Sequence, residues 1–379
     1  MKKRGGIYVH VPVCRRKCLY CSFYSVGERF VGDWAHFVDA ILRELDSRID
    51  EMKDWDEVTI YIGGGTPSLM SPHEFQRMMN GLRQRLNPNA EIMEVTIEVN
   101  PDDVTEDLAK AWKAAGVNRV SMGVQSLVDS ELKAIGRRHD AVTAIKANEV
   151  LSKYFDNISL DLIFGLPSQT LDSLKNTVEG LVAMRPKHIS AYSLMYEERS
   201  ALTRLRDAGK IEETDEDVTV KMFALINDIL SRDGFLRYEI SNYSLPGFES
   251  RHNSSYWHGV PYVGLGPSAH SYDGVRVRRW NVADINDYLE RIENEGEYFD
   301  YETLNEDELI EERIMIGLRN SQGIDLHEFE LDFGASARDR LLRKARQAKQ
   351  AGNLEENNGF LRLTDKGVMI SDEIIVQLF

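Results

Sequence analysis

The sequence predicts an α/β protein: a complete or partial (β/α) barrel of about six units, followed by a smaller α+β, winged-helix-like domain. Three observations predict it. Short apolar strands alternate with amphipathic helical stretches from residue 7 to about 195. The alternation breaks down after residue 215. And nearly every strand ends in residues that a hydrophobic sheet does not need.

The strands are read, in order, in GIYVHVP, EVTIYIGGG, EVTIEVNP, RVSMGVQ, ISLDLIFGLP and HISAYSL. They are short and rich in β-branched and aromatic residues, which separates them from helical runs. Between them WAHFVDAILRELDSRI, PHEFQRMMNGLRQRL and TEDLAKAWKAAG carry apolar residues at helical spacing. Strand–helix units of this spacing imply parallel strands joined by right-handed crossovers. After residue 215 a helix around TVKMFALINDILSRDG leads to LRYEISNYS and then to RHNSSYWHGVPYVGLGPSAHSY, rich in Gly, Ser and aromatics. The remainder reads as helices ending in NGFLRLTDKGVMISDEIIVQLF, which suits a small winged-helix-like unit. The expected domains are therefore residues 1–235 (barrel), 236–282 (connecting segment) and 283–379 (C-terminal).

Composition narrows the class. The chain has 46 basic and 62 acidic residues, a formal charge of −16, which argues against a general nucleic-acid binder. The acidity is partly local: Glu290 to Arg313 holds eleven acidic residues and two arginines, as expected of a solvated helical face. MKKRGG resembles the start of an export signal, but the apolar segment after it is short, is interrupted by His10 and Pro12, and runs into CRRKC. Export and membrane spanning are not expected, and a cytoplasmic location is.

The strand ends converge on one site. The first runs into a cysteine loop and the second into Gly63-Gly64-Gly65-Thr66-Pro67. Glu98, Asn100 and Pro101 close the third, Gln125 the fourth, and Asp161 with GLP the fifth. Barrel enzymes build their sites at the C-terminal ends of strands, and polar groups in apolar strands are costly unless paired. The cysteine loop holds all three cysteines, Cys14, Cys18 and Cys21, spaced Cys-x3-Cys-x2-Cys around Arg15, Arg16 and Lys17. Scattered structural thiols would not cluster this way, and a zinc site needs a fourth ligand that no nearby pair supplies. A 4Fe–4S cluster held by three thiolates keeps one iron open to another ligand.

This motif after a first barrel strand, with Tyr20 directly before the last cysteine, resembles the radical S-adenosylmethionine (SAM) superfamily. The resemblance implies a partial (β/α)6 TIM-like barrel in which Cys14, Cys18 and Cys21 hold a 4Fe–4S cluster and SAM binds the open iron. GGGTP resembles the superfamily's glycine motif beside the SAM amino group, and Glu98 its ribose-binding carboxylate. GVQS, IGRRHD and DLIFGLPSQT resemble the group containing oxygen-independent coproporphyrinogen III oxidase and the heme chaperones. By that likeness Tyr8, Tyr20, Gly64, Gly65, Thr66, Glu98, Gln125, Arg137 and Asp161 surround SAM.

Two features separate the branches. The oxidase has a fourth cysteine two positions after the third; here that position is Phe23. HNSSYW, residues 252–257, resembles a heme-chaperone signature, which implies heme binding through His252, Asn253, Tyr256 and Trp257. Imidazole can ligate iron and aromatic rings can pack on a macrocycle, but His258 and His270 lie close enough in sequence to leave the axial ligand open. The resemblance thus implies heme delivery to acceptor proteins, some of them membrane-associated, an electron donor for the cluster, and a monomer or homodimer. A porphyrinogen-decarboxylating oxidase, a radical enzyme acting on another substrate, and a non-catalytic Fe–S module are the alternatives.

Overall fold

The computed structural model describes residues 2–27, 33–198 and 200–379. All six expected strands form: β1 (Arg4–Val11), β2 (Glu57–Gly64), β3 (Glu91–Val99), β4 (Arg119–Gln125), β5 (Asn157–Phe164) and β6 (His188–Ser193). They lie in chain order and every neighbouring pair is parallel. Helices α1 (Trp34–Ser47), α2 (Pro72–Arg85), α3 (Glu106–Ala114), α4 (Ala141–Leu151) and α5 (Leu171–Ala183) make the crossovers. Each starts where a short polar side chain accepts a free backbone N–H: Asp33, Ser71, Thr105, Asp140 and Thr170. Such a cap is worth about 1 kcal/mol.

Parallel strands covered on both faces usually read as unbroken apolar runs. These alternate instead. Ile7, Val9 and Val11 of β1, Val58, Ile60 and Ile62 of β2, and Val120, Met122 and Val124 of β4 are fully buried in the main core, on the face that the helices cover. The intervening positions hold Tyr8 and His10, Thr59 and Tyr61, Thr96 and Glu98, Arg119 and Ser121, Ser159 and Asp161, Ser190 and Tyr192. Strand residues two apart share a face, so the inner face of the curved sheet is polar along its length.

The sheet stays open. Past β6 it continues antiparallel into β8 (Asn242–Ser244) and then β7 (Leu236–Arg237). On the other side β9 (Tyr262–Leu265) pairs parallel with β1, and β10 (His270–Tyr272), β11 (Val277–Asn281) and β12 (Phe299–Thr303) follow antiparallel. Segment 236–282 therefore supplies strands on both sides of the six parallel ones. It also carries α7 (Arg251–Trp257), after α6 (Glu216–Arg232).

Helix α8 (Ile285–Glu293), expected with the C-terminal domain, packs instead on the main core through Ile285, Tyr288, Leu289 and Ile292. A second core begins at Ile310. There α9 (Glu306–Arg319), α10 (Leu326–Lys344) and α11 (Ser371–Leu378) surround a three-stranded antiparallel sheet of β13 (Ile324–Asp325), β14 (Leu354–Asn357) and β15 (Phe360–Leu363). We therefore place the division near residue 304. Among the described residues no helix is long and apolar enough to cross a membrane.

Candidate functional site

The cysteine loop leaves β1 and is closed by a two-residue parallel ladder, Val13–Cys14 against Val26–Gly27. Two backbone hydrogen bonds pin its middle: Leu19 donates to Ile135 O (3.0 Å) and Leu202 donates to Leu19 O (2.8 Å). The three cysteines are free thiols. Two sulfurs already accept hydrogen bonds, Cys14 Sγ from the Thr66 hydroxyl and Cys18 Sγ from Arg137 Nη1, each at 3.5 Å. Burial pushes the Cys14 and Cys21 thiols up from their ordinary range. Among the described residues no three His, Cys, Asp or Glu side chains are arranged to hold a single metal ion.

All three thiols line one cavity of about 440 Å³, within the range of small-molecule sites. Tyr20, Gly64, Gly65, Thr66, Glu98, Gln125, Arg137 and Asp161 line it too. Tyr8 does not: its hydroxyl pairs with His10 Nδ1 (2.9 Å). Gly64 has φ +107°, and a Cβ on Gly65 would come 2.6 Å from the Val13 carbonyl oxygen, so this turn tolerates no side chain. Glu98 accepts from the Tyr61 hydroxyl (2.7 Å) and from Gly64 N–H (3.0 Å). Burial nonetheless pushes its carboxyl up to about 7. Burial also raises Asp161, against hydroxyls that include Ser121 (3.1 Å) and Ser159 (3.4 Å).

Arg137 ties the cysteine loop to the strand ends, donating to Asn100 Oδ1 (2.9 Å) and to Gly123 O (2.5 Å) as well as to Cys18, while Asn100 Nδ2 donates to Thr66 (3.1 Å). Gln125 sits at a register shift in β4 with φ 69°, a left-handed conformation unusual for a side chain with a Cβ. Strain of this kind persists where the surroundings over-determine it, often at ligand sites.

The HNSSYW residues divide among three environments. Asn253 lines the cavity with the thiols. His252 is buried, its Nδ1 paired with the Thr59 hydroxyl and its Nε2 with the Tyr256 hydroxyl, both at 2.8 Å. Its ring stacks on Tyr61 (5.2 Å between centroids), and burial lowers its pKa to about 3. Both nitrogens are committed, so in this arrangement His252 has no lone pair to offer an iron. Trp257 faces the C-terminal unit, beside Arg313, Asn320 and Phe360.

Three features of the site escape the strand-end reading. Glu94, buried on β3, accepts from the Ser250 hydroxyl (3.3 Å) and from the backbone N–H of Arg251 (2.9 Å) and His252 (3.1 Å), so it anchors the start of α7. Arg119, 1% exposed, lines the cavity and its charge offsets part of the burial effect on Glu98 and Asp161. Ser121 and Ser190 complete the polar wall. Every-second-residue polarity in the strands is the signal that could have revealed Arg119 and the serines.

Comparison with known proteins shows the family and the fold. A family model described as "Radical SAM superfamily" matches residues 8–181, and one described as "HemN C-terminal domain" matches residues 304–370. Heme chaperone HemW of Bacillus subtilis is 32% identical over 373 residues, 97% of each chain. Heme chaperone HemW of Mycobacterium tuberculosis is 33% identical over 376 residues, 98% of this chain and 93% of that one. Among solved structures, coproporphyrinogen III oxidase (HemN) from Escherichia coli superposes with a TM-score of 0.85 over 100% of this chain and 90% of its own, at 20% identity. That likeness is one of fold.

Proposed function

This chain belongs to the HemW family of heme chaperones within the radical SAM superfamily, and on that premise we propose that it binds heme and delivers it to heme-requiring proteins. What carries the reading is similarity to heme chaperones over the whole chain, barrel and C-terminal unit alike. Phe23 at the position where the oxidase has a cysteine points the same way.

Members of the superfamily hold a 4Fe–4S cluster and SAM, and the residues present fit both. Cys14, Cys18 and Cys21 stand around one cavity, with Thr66 and Arg137 donating to two of the sulfurs, as suits thiolates bearing negative charge. Reduced, such a cluster supplies the electron that cleaves SAM. The protein's own groups do the rest. Gly64 and Gly65 let the backbone approach the ligand, and the Glu98 carboxylate, once ionised, accepts from ribose hydroxyls. Asp161, Gln125 and Arg137 line the same cavity, and Asn253 brings α7 to it. Glu94 holds α7 in place by accepting its first N–H groups. The further partners are an electron donor for the cluster and the acceptor proteins, membrane-associated ones included.

The test offers the anaerobically reconstituted protein, with SAM and a reductant, heme in one arm and coproporphyrinogen III in the other. Retention of heme without formation of protoporphyrinogen is expected. Porphyrinogen turnover without heme retention would overturn the reading in favour of the oxidase.

A further inference from the structure

A heme needs a flat apolar support, and α7 does not present one. His252 is buried with both nitrogens bonded, and the Tyr256 hydroxyl is one of its partners. The opening beside Trp257 also holds His258, whose Nδ1 pairs with Ser254 O (2.7 Å), and its other walls are largely polar: Arg313, Asn320, Gln322, Asp325 and Glu328.

An apolar platform stands at the mouth of the cysteine cavity. Phe23 is 65% exposed, Met195 64% and Tyr192 42%, and all three line that cavity. Single exposed apolar side chains are ordinary, but three around one opening mark an interaction site. The mouth also has polarity. Arg16 and Lys17 are exposed on the loop that carries Phe23, and Lys17 Nζ donates to the Phe23 carbonyl (2.7 Å), tying cation and ring together. In a chain of net charge −16 this cationic rim is a local feature. Glu197 lines the cavity too, on the same segment as Met195 and Tyr192, whereas the two cations stand on the cysteine loop.

We propose that heme docks at this mouth, one face on Phe23, Met195 and Tyr192 and its propionates turned toward Arg16 and Lys17. The inference rests on the heme-chaperone reading and relocates the cargo from the HNSSYW helix. Charge complementarity selects this ligand: a flat apolar macrocycle with two carboxylates at one edge matches an apolar platform with two cations at one edge. The HNSSYW segment then serves the cavity from behind, through Asn253 at the wall and His252 packed beneath Tyr61.

The test is a spectral heme titration of the full chain, wild type beside F23S/M195Q, R16E and L331S. Leu331 is 72% exposed in the C-terminal unit and serves as the control. The F23S/M195Q protein is expected to bind heme about tenfold more weakly or worse, and L331S to bind as wild type. R16E is expected to weaken binding of heme but not of heme dimethyl ester, whose propionates are uncharged. If wild type binds and F23S/M195Q binds equally well, the mouth site is wrong and the chaperone reading stands. A wild type that does not bind heme overturns that reading itself. These are surface positions, and circular dichroism confirms that each variant is folded.

Discussion

Glu98→Gln isolates the electrostatics of the ligand cavity. Burial is the main reason the Glu98 carboxyl titrates at about 7 rather than 4.5. The folded state therefore binds this proton more tightly than the unfolded chain does. Stability from this group is fully present below pH 4.5 and is lost as pH rises through 7. Each tenfold change in proton affinity is worth about 1.4 kcal/mol, so the full effect is about 3 kcal/mol. Glu98 borders an open cavity, and water there trims the expected figure to about 2 kcal/mol.

Glutamine keeps both contacts, offering its oxygen to Gly64 N–H and its amide to the Tyr61 oxygen, and it never ionises. Denaturant unfolding of both proteins at pH 5 and pH 8 gives the double difference, in which every other titrating group cancels. E98Q should gain about 2 kcal/mol on wild type between the two pH values. In parallel, wild-type affinity for SAM should rise as pH increases through 7, because only the ionised carboxylate accepts from both ribose hydroxyls. SAM affinity of E98Q should be weak and flat. If the two proteins lose or gain stability in parallel from pH 5 to pH 8, Glu98 is not a buried carboxylate of raised pKa and the account of the cavity fails.

The same geometry makes other demands. Gln125→Gly removes a left-handed backbone strain and should stabilise the fold by about 1 kcal/mol while weakening SAM binding, as calorimetry would show; loss of stability would mean the bulge is held by the side chain. Glu94→Gln removes a charged acceptor from three donors at the start of α7 and should cost about 1–3 kcal/mol in urea unfolding. A neutral result would detach Glu94 from the helix. Cys18→Ala should abolish iron and sulfide incorporation on anaerobic reconstitution yet leave heme titration unchanged, since heme is placed on side chains outside the cysteine set. Loss of both together would make the cluster part of the heme site.

Much of this was legible in the chain because the barrel's local signals are strong. The six strands are short β-rich runs, and their crossover helices announce themselves by helical spacing and by caps such as Ser71 and Thr170. The cysteine loop and GGGTP are compact in sequence, so their meeting in space needs only the parallel topology. What stayed hidden depends on distant contacts. Glu94 meets Arg251 across 157 positions, and nothing near either residue signals it. The strands β9–β12 are only three to five residues long, too short to stand out from turns. His252 stays a candidate iron ligand in sequence, beside His258 and His270, because composition carries no information about Thr59 and Tyr256 on either side of its ring.

The central claim is that this chain carries heme in order to give it away. The direct measurement loads the purified protein with heme, removes the excess, mixes it with an apo-hemoprotein acceptor, and separates the two before recording each Soret band. The account predicts that heme stays with the chain alone and moves to the acceptor when both are present. A chain that retains no heme, or one that never fills the acceptor beyond a free-heme control, would contradict it.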